Sequence, residues 1–158
     1  AGMDLSGMDF SGADFRQADL RGCAFRSANL TGCNFKSADI GEHNDRRADF
    51  TKAIVENAIF DEADVTTALF TDTRAKGASF READASGMNF NRADLTDANF
   101  KEADLTSTVF EYTTFTNANL QDADMDDIKV VKCKIIAADG KVTIIDSAAQ
   151  LFDKLLNE

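Results

Sequence analysis

The hydrophobic positions of this chain recur every five residues. Residues 93–105 read Ala-Asp-Leu-Thr-Asp-Ala-Asn-Phe-Lys-Glu-Ala-Asp-Leu, so that a small residue, Asp or Asn, a large apolar residue and two polar residues alternate in that order. We call the large apolar position the centre of each unit. Centres fall on every multiple of five from Leu5 to Met125, without insertion or deletion, and the small position two residues earlier is Ala in most units. The pattern predicts one repeating architecture for most of the chain.

A period of five is typical of neither an α-helix nor a flat strand. A helical stripe needs apolar residues three and four apart, and a strand needs them two apart. Here the small residue and the centre are two apart and point the same way, and the next pair follows only after a bend. Short extended sides joined by corners satisfy this pattern. If the chain coils, successive coils stack about 4.8 Å apart and their backbone groups hydrogen-bond to one another.

Side-chain volume indicates twenty residues in each coil. Val65 and Ala75 are small centres between the large centres Phe70 and Phe80, as expected if a closely packed core balances its volume on four sides. With a uniform coil of twenty, centres twenty residues apart lie over one another. The four predicted stacks then begin Phe10, Leu30, Phe50; Leu20, Ile40, Phe60; Leu5, Phe25, Asp45; and Phe15, Phe35, Val55.

The unit Ala-Asp/Asn-Leu/Phe-x-x resembles that of the pentapeptide-repeat proteins over residues 1–137. The resemblance implies an all-β solenoid, a right-handed quadrilateral β-helix with four units per coil, the small residue and the centre facing inward. At this length we expect about six to seven coils, the last of them (126–137) degenerate. The motif is specific for the fold, and a fold alone does not define a function.

Residues 41–47 depart from the pattern, because His43 occupies a small position and Asp45 a centre. An unpaired Asp in a core of phenylalanines costs several kcal/mol. We therefore expect this corner to bulge outward, which places His43, Asp45, Arg46 and Arg47 in one surface patch. The patch is interpreted either as a tolerated irregularity or as a recognition element.

Acidic residues concentrate in the second half of the chain. A twenty-residue period places Asp64, Asp84, Asp104 and Asp124 in one column, with Glu102 nearby. This column is a candidate surface for a protein partner. Asp at this position is also explained by a hydrogen bond between its side chain and the backbone of the turn. No set of ligands converges on one point, so a metal site is not expected.

Residues 138–158 are expected to form a turn, a short strand at 142–145 and an α-helix capped by Asp146 or Ser147 and running to about Asn157. The helix would cover the open end of the coil and offers a candidate dimer surface. Its apolar face is formed by Ala148, Leu151, Phe152, Leu155 and Leu156. The N-terminal end of this sequence has no such segment. We therefore expect that its edge is covered by a second copy, is covered by residues outside this sequence, or is frayed.

The composition favours a binding protein over an enzyme. The net charge of −11 disfavours direct contact with nucleic acid or an anionic membrane. The sequence shows no nucleophile–base pair, metal-ligand cluster or phosphate loop, so we expect no cofactor and no catalysis. Cys23 and Cys33 occupy inward positions and are expected to be buried free thiols, which favours the cytoplasm; removal of a leader would instead allow the periplasm or the thylakoid lumen.

Two function classes follow. The first is a non-catalytic structural or protein-interaction module, a rigid acidic rod that binds a protein through its outer faces. The second comes from a resemblance of the C-terminal helix to gyrase-protecting pentapeptide-repeat proteins, which implies a DNA mimic that binds a type II topoisomerase such as DNA gyrase. The acidic second half of the chain favours the second class. The short length of the chain and its apparent lack of a loop insertion disfavour that class. A homodimer through either end of the rod is compatible with both.

Overall fold

The structure, a computed structural model, describes residues 1–156 except for the side chain of Leu156. The residue before each centre forms parallel bridges with its counterparts one coil away, so that Asp64 pairs with Asp84 and Asp84 with Asp104. Four such residues complete a coil, and they define four faces. The bridging residues are Asp4, Ala24, Asp49, Leu69, Asn89, Val109 and Lys129 on the first face; Asp9, Asn29, Ile54, Arg74, Asp94, Thr114 and Lys134 on the second; Asp14, Asn34, Ile59, Ser79, Asn99 and Asn119 on the third; and Asp19, Asp39, Asp64, Asp84, Asp104 and Asp124 on the fourth.

Each corner is made by the residue two positions after a centre, whose φ is positive. Glycine takes this position at Gly32 (φ 66°), but Glu82 (φ 56°) and Asp97 (φ 58°) adopt it as well. The sides between corners are too short for extended strands, so their backbone bonds run from coil to coil. The amide of Phe80, for example, donates to the carbonyl of Asn99 at 2.7 Å. The backbone is thereby satisfied without long strands.

Longer elements occur only towards the C-terminal end of the described chain. Strand β1 (Val109–Glu111) pairs in parallel with β2 (Lys129–Val131). Strand β3 (Cys133–Ile136) pairs antiparallel with β4 (Val142–Ile145), and helix α1 (Ala148–Leu156) follows. The predicted strand at 142–145 is confirmed. The predicted helix is confirmed to Leu156, and Asn157 lies outside the described residues.

Two columns of phenylalanine rings fill the core from opposite faces. On the third face Phe60, Phe80 and Phe100 stack with centroids 4.8 and 4.9 Å apart and rings nearly parallel. Across the core, Phe80 meets Phe90 edge to face at 5.8 Å. The second and fourth faces carry the small centres between them, which confirms the predicted exchange of volume among the four sides.

The predicted uniform register is wrong at one place. Phe50 stacks on Phe25, with centroids 4.9 Å apart, and does not lie over Leu30. The bridges there join residues 25 apart, such as Asn29 with Ile54, whereas those on either side join residues 20 apart. One coil therefore contains five extra residues. Because the insertion equals one repeat unit, it leaves no trace in the five-residue period.

The extra residues form a β-hairpin at the corner between the fourth and first faces. His43 and Arg46 exchange two backbone hydrogen bonds of 2.9 and 3.0 Å. The two residues between them, Asn44 and Asp45, have φ of 51° and 59°, as a type I′ turn requires. Asp45 is exposed, which confirms the outward bulge, but it is not a centre of the coil. The expectation that this chain lacks a loop insertion was also wrong.

Candidate interaction surface

The fourth face has Asp at all six of its bridging positions. At five of these positions, all but Asp39, one carboxylate oxygen accepts a hydrogen bond from the amide two residues later, as Asp64 does from Thr66 at 3.0 Å and Asp104 from Thr106 at 2.8 Å. Asparagine forms the same bond on another face, where Asn89 accepts from the amide of Asn91 at 2.9 Å. The turn therefore needs an oxygen but not a negative charge. The unbroken column of carboxylates is not explained by the fold.

Most of the net charge lies on this one face. Leaving the inserted hairpin aside, the fourth face carries eight Asp and one Arg, a formal charge of −7 out of the total of −11. The other three faces together carry fourteen Asp or Glu against twelve Lys or Arg, which comes to −2. We call the fourth face the acidic face. Its charged residues are Asp19, Arg21, Asp39, Asp64, Asp84, Asp104, Asp124, Asp126 and Asp127.

The acidic face is neutralised only at its N-terminal end. Arg21 contacts Asp19 at 2.9 Å and Asp39 at 3.2 Å, and its hydrogen bond lowers the pKa of Asp19 well below the usual range of a carboxyl. The four predicted members of the column, Asp64, Asp84, Asp104 and Asp124, form no ion pair with any of residues 1–156. Their charges are thus available to a partner. The sequence predicted these four but not Asp19 and Asp39, because a spacing of twenty residues does not cross the insertion.

Glu102 belongs to a second acidic column at the edge of this face. It lies at the corner between the third face and the acidic face and pairs with Lys101 at 3.1 Å. Corner residues of the same edge, Glu62 and Glu82, pair with Lys36 and Arg81 at 2.9 Å each. The predicted Glu102 therefore adjoins the column of Asp but is less available than its members.

The hairpin brings together the residues predicted as a patch at 41–47. Asp45, Arg46 and Arg47 are exposed and His43 is half-buried. The hairpin folds towards the first coil, where the guanidinium of Arg46 donates to the carbonyl of Gly2 at 3.4 Å. It borders a cleft of about 320 Å³ on the first face. The patch exists as a structural unit, and its role in recognition stays a prediction.

Helix α1 directs part of its apolar face towards the last coil. Leu151 is fully buried, while Phe152 and Leu155 are half-buried against the core. The Ser147 hydroxyl accepts from the amide of Gln150 at 3.2 Å, so the predicted cap by Ser147 is present. The side chain of Leu156, also predicted on this face, lies outside the described part.

Buried hydroxyl and thiol groups inside the coil donate hydrogen bonds to backbone carbonyls. Thr73 donates to the carbonyl of Phe50 at 3.0 Å, and the Cys133 thiol to that of Phe110 at 3.2 Å. The prediction of buried free thiols is confirmed for Cys23 and Cys33. Burial raises the pKa of the Cys33 and Cys133 thiols, so both favour the unreactive protonated form. Sequence analysis missed the role of the inward Thr residues, although their position among alanines was the available signal.

Comparison with known families agrees with this architecture. The pentapeptide-repeat family model matches residues 1–36, 28–72, 58–97, 76–111 and 93–129. The chain belongs to the pentapeptide-repeat family. Its members and structural neighbours identify the coil of this pentapeptide-repeat protein as a right-handed β-helix. No curated protein sequence matched.

Solved structures share the fold at low sequence identity. Two structures of trypsin-treated QnrB1, a plasmid-mediated fluoroquinolone resistance protein, are 22% identical and align over 84% of this chain and 70% of QnrB1, with TM-scores of 0.57 and 0.53. HetL, a pentapeptide repeat protein involved in heterocyst differentiation regulation from the cyanobacterium Nostoc sp. strain PCC 7120, is 25% identical over 90% of this chain and 71% of HetL, with a TM-score of 0.34. Among the described residues, no helix has the length and apolar character needed to cross a membrane, and no group of His, Cys, Asp and Glu is placed to hold a metal ion.

Proposed function

We propose that this pentapeptide-repeat protein is a non-catalytic interaction module whose acidic face binds a basic surface of a protein partner. One observation carries the proposal: the turn bond is made equally well by Asn, yet Asp occupies every bridging position of one face and of no other. A column of like charges about 4.8 Å apart is mutually repulsive, so it does not stabilise the rod. A partner bearing Lys or Arg would relieve that repulsion, which favours binding and steers the encounter.

The rigidity of the rod supports this function. The core is filled by stacked rings, and the cleft volumes lie outside it, between surface side chains. An interaction surface that is already ordered loses little conformational entropy when it binds. We further infer that residues 1–137 form the β-helix and residues 138–158 its terminal segment, in which α1 covers the last coil with Leu151.

The test uses two matched variants. The first replaces Asp64, Asp84, Asp104 and Asp124 by Asn, which keeps the turn oxygen and removes four charges from the acidic face. The control replaces Asp4, Asp9, Asp14 and Asp94 by Asn, which makes the same change at the same unit position on the other faces. Each protein is immobilised and exposed to lysate of its native host, and captured proteins are quantified against those held by the unchanged chain.

We expect the unchanged chain and the control variant to capture a basic protein, and the acidic-face variant to fail to capture it. Its retention should also weaken as salt rises from about 50 to 300 mM, because the distance over which exposed charges interact falls from about 14 Å to about 6 Å. An identical set of captured proteins for all three chains would contradict the proposal.

A second candidate is a DNA mimic that occupies a type II topoisomerase such as DNA gyrase. Two observations favour it, the evenly spaced carboxylates of the acidic face and the shared fold with QnrB1. Against it, most of the net negative charge lies on one face in four, whereas duplex DNA is negatively charged all round. A supercoiling assay with purified gyrase, with and without a quinolone, separates the two. If micromolar protein neither inhibits supercoiling nor protects gyrase from the quinolone, the mimic is eliminated and the interaction module remains.

A homodimer through α1 remains part of the proposal. Leu151 points into the rod, so a dimer surface on this helix would rest on Phe152 and Leu155, which are partly exposed. Sedimentation of the full chain beside a Phe152→Ser variant tests it. A dimer that the variant converts to monomer supports the helix surface, and equal sedimentation coefficients would contradict it.

A further inference from the structure

Strand β4 has one backbone edge without a hydrogen-bond partner. Where the ladder with β3 begins, the amide of Ala137 donates to the carbonyl of Lys141 at 2.9 Å. Because bonded and non-bonded pairs alternate along an antiparallel ladder, the amides and carbonyls of Val142 and Ile144 point away from β3. None of these groups forms a hydrogen bond within residues 1–156. They are open to a further strand.

The opposite edge of this sheet, on β3, is already occupied by the coil. The amide of Lys134 donates to the carbonyl of Thr113 at 2.8 Å, and that of Ile136 donates to the hydroxyl oxygen of Thr116 at 3.0 Å. The sheet can therefore be extended only at β4.

The outer side of the β3–β4 sheet is apolar and exposed. Ile136, Val142 and Ile144 are 39%, 50% and 49% exposed, and Ile136 lies directly across from Val142. They are three of the seven large hydrophobic side chains that are exposed in the described part of the chain. Residues 142–145 contain neither a charged residue nor a proline, the residues that commonly block pairing at an edge strand. The exposed edge therefore suits pairing with another chain.

A groove of about 250 Å³ lies on the inner side of β4, between the strand and α1. Thr143 and Ile145 line it on the strand, and Gln150 and Asp153 line it on the helix. Short polar side chains of an added strand could enter this space. A second copy suits it less well, because two-fold pairing of β4 with β4 would place both copies of α1 on the same side of the joined sheet, beside this groove.

Charged residues at the two ends of β4 favour one direction for the added strand. Lys141 precedes the strand and Asp146 follows it, and both are exposed. Neither forms an ion pair among the residues that the structure describes. The nearby carboxylate of Asp139 accepts from the amide of Lys141 at 2.9 Å and leaves its ammonium group unpaired. An acidic residue opposite Lys141 and a basic residue opposite Asp146 would complement both ends.

We propose that β4 is a docking edge for an extended segment of another protein, which adds to it as an antiparallel strand. Apolar β-branched residues of that segment lie beside Val142 and Ile144, and a short polar residue lies beside Thr143. Its acidic end meets Lys141 and its basic end meets Asp146. The backbone bonds hold the segment and the alternate side chains select it. The sheet continues the second face, opposite the acidic face, so this site is separate from the proposed function.

The probe is a peptide with the core Lys-Thr-Ile-Thr-Val-Glu between polar flanks, and a control peptide exchanges its Lys and Glu. The full chain is titrated with each peptide while amide signals and hydrogen exchange are recorded. Two variants isolate the backbone contribution. Ile144→Ala removes the side chain alone, whereas Ile144→Pro also removes the edge amide, which β3 does not use.

We expect saturable shifts at 141–146 with the probe, and slower exchange of the Val142 and Ile144 amides in the complex. The probe should bind Ile144→Pro about threefold to tenfold more weakly than Ile144→Ala, as expected for one lost backbone hydrogen bond. The control peptide should bind the unchanged chain more weakly than the probe does. The variant with Asn on the acidic face should bind the probe as the unchanged chain does, so failure of either proposal is recognised separately.

Several outcomes would overturn the proposal. The first is a lack of shifts at β4. Equal binding of the two peptides would refute the stated charge order, and equal affinities of Ile144→Ala and Ile144→Pro would place the peptide on the apolar side chains alone. Protection of the Val142 and Ile144 amides that rises with chain concentration, without peptide, would assign the edge to a second copy. If Ile144→Pro does not fold, exchange of these two amides in the unchanged chain decides.

Discussion

Single side chains inside the coil do more than fill space. The inward small position is usually Ala, but Thr73, Thr108 and Thr113 occupy it with their hydroxyls buried. Each donates to a carbonyl of the preceding coil at 2.8 to 3.0 Å. That carbonyl also accepts a backbone amide, as Phe50 does from Ala53 at 2.9 Å. The hydroxyl thus adds a second bond between coils at a place where alanine would add none.

We predict that Thr73→Val lowers the free energy of unfolding by about 1 kcal/mol, because a nearly isosteric side chain loses one buried hydrogen bond. Urea denaturation measures it. Thr66→Val, in which the side chain lies on the outer surface, serves as the control. A loss at Thr73 no larger than at Thr66 would show that the buried bond contributes nothing.

Asp49 makes the stability depend on pH. It is the buried member of the first-face column, and burial alone would raise its pKa; the hydrogen bonds from Thr51 and the ion pair with Arg26 outweigh burial, so the pKa is lowered. A carboxyl with a lowered folded-state pKa stabilises the protein above its unfolded pKa and loses that contribution as pH falls through the folded value.

We therefore expect the free energy of unfolding of Asp49→Asn to fall less steeply than that of the unchanged chain below about pH 4. Urea midpoints measured from pH 7 to pH 2.5 test this. Asp126→Asn, at an exposed position on the acidic face, should retain the steep profile. Parallel profiles for Asp49→Asn and the unchanged chain would contradict the assignment.

At the scale of elements, the phenylalanine columns hold the coils together. Phe80 lies between Phe60 and Phe100 and contacts Phe70 and Phe90 edge to face, with no exposure to solvent. We predict that Phe80→Ala costs about 3–5 kcal/mol, since a closely packed column cannot close around the cavity. A loss below about 1 kcal/mol in urea denaturation would place Phe80 outside the core.

The hairpin is predicted to be dispensable for folding. Deleting residues 42–46 joins Gly41 to Arg47 and leaves a regular unit that ends at Phe50. The ring stack from Phe25 to Phe50 does not pass through the hairpin. We expect the shortened chain to fold with a melting temperature within a few degrees of the original, measured by circular dichroism. Loss of cooperative melting would show that the hairpin is structural.

The fold could be predicted from the sequence because every unit repeats the same residue pattern. The predicted register was wrong where that pattern carries no information. An insertion of five residues preserves a period of five, so neither spacing nor register reveals it. Two other signals were available. His43 and Asp45 are polar at positions that an uninterrupted repeat would direct inward, and the phenylalanine columns become continuous only when Phe25 is placed under Phe50. The acidic column was predicted from Asp64 onward, and its start at Asp19 became visible only once the insertion was located.

At the scale of the whole molecule, charge is distributed by face. The order of residues along the chain suggests an acidic second half, but the coil redistributes those residues so that one face carries −7 and the other three together −2. Such a molecule has a preferred orientation towards any charged surface.

We predict that this orientation is measurable without a partner. On an anion-exchange column, replacing Asp64, Asp84, Asp104 and Asp124 by Asn should shift elution to distinctly lower salt than replacing Asp4, Asp9, Asp14 and Asp94, although both variants lose four charges. The reason is that the rod adsorbs through its most negative side. Equal shifts would mean that net charge alone governs adsorption.

The way the hairpin joins the coil has a practical consequence. Its two ends leave and re-enter the wall at one corner, between Gly41 and Ala48, and the aromatic stack continues past them. That corner is thus a natural grafting point: a foreign peptide closed by its own tight turn could be displayed there in a fixed pose, at a defined height on a stiff scaffold, with the interior undisturbed.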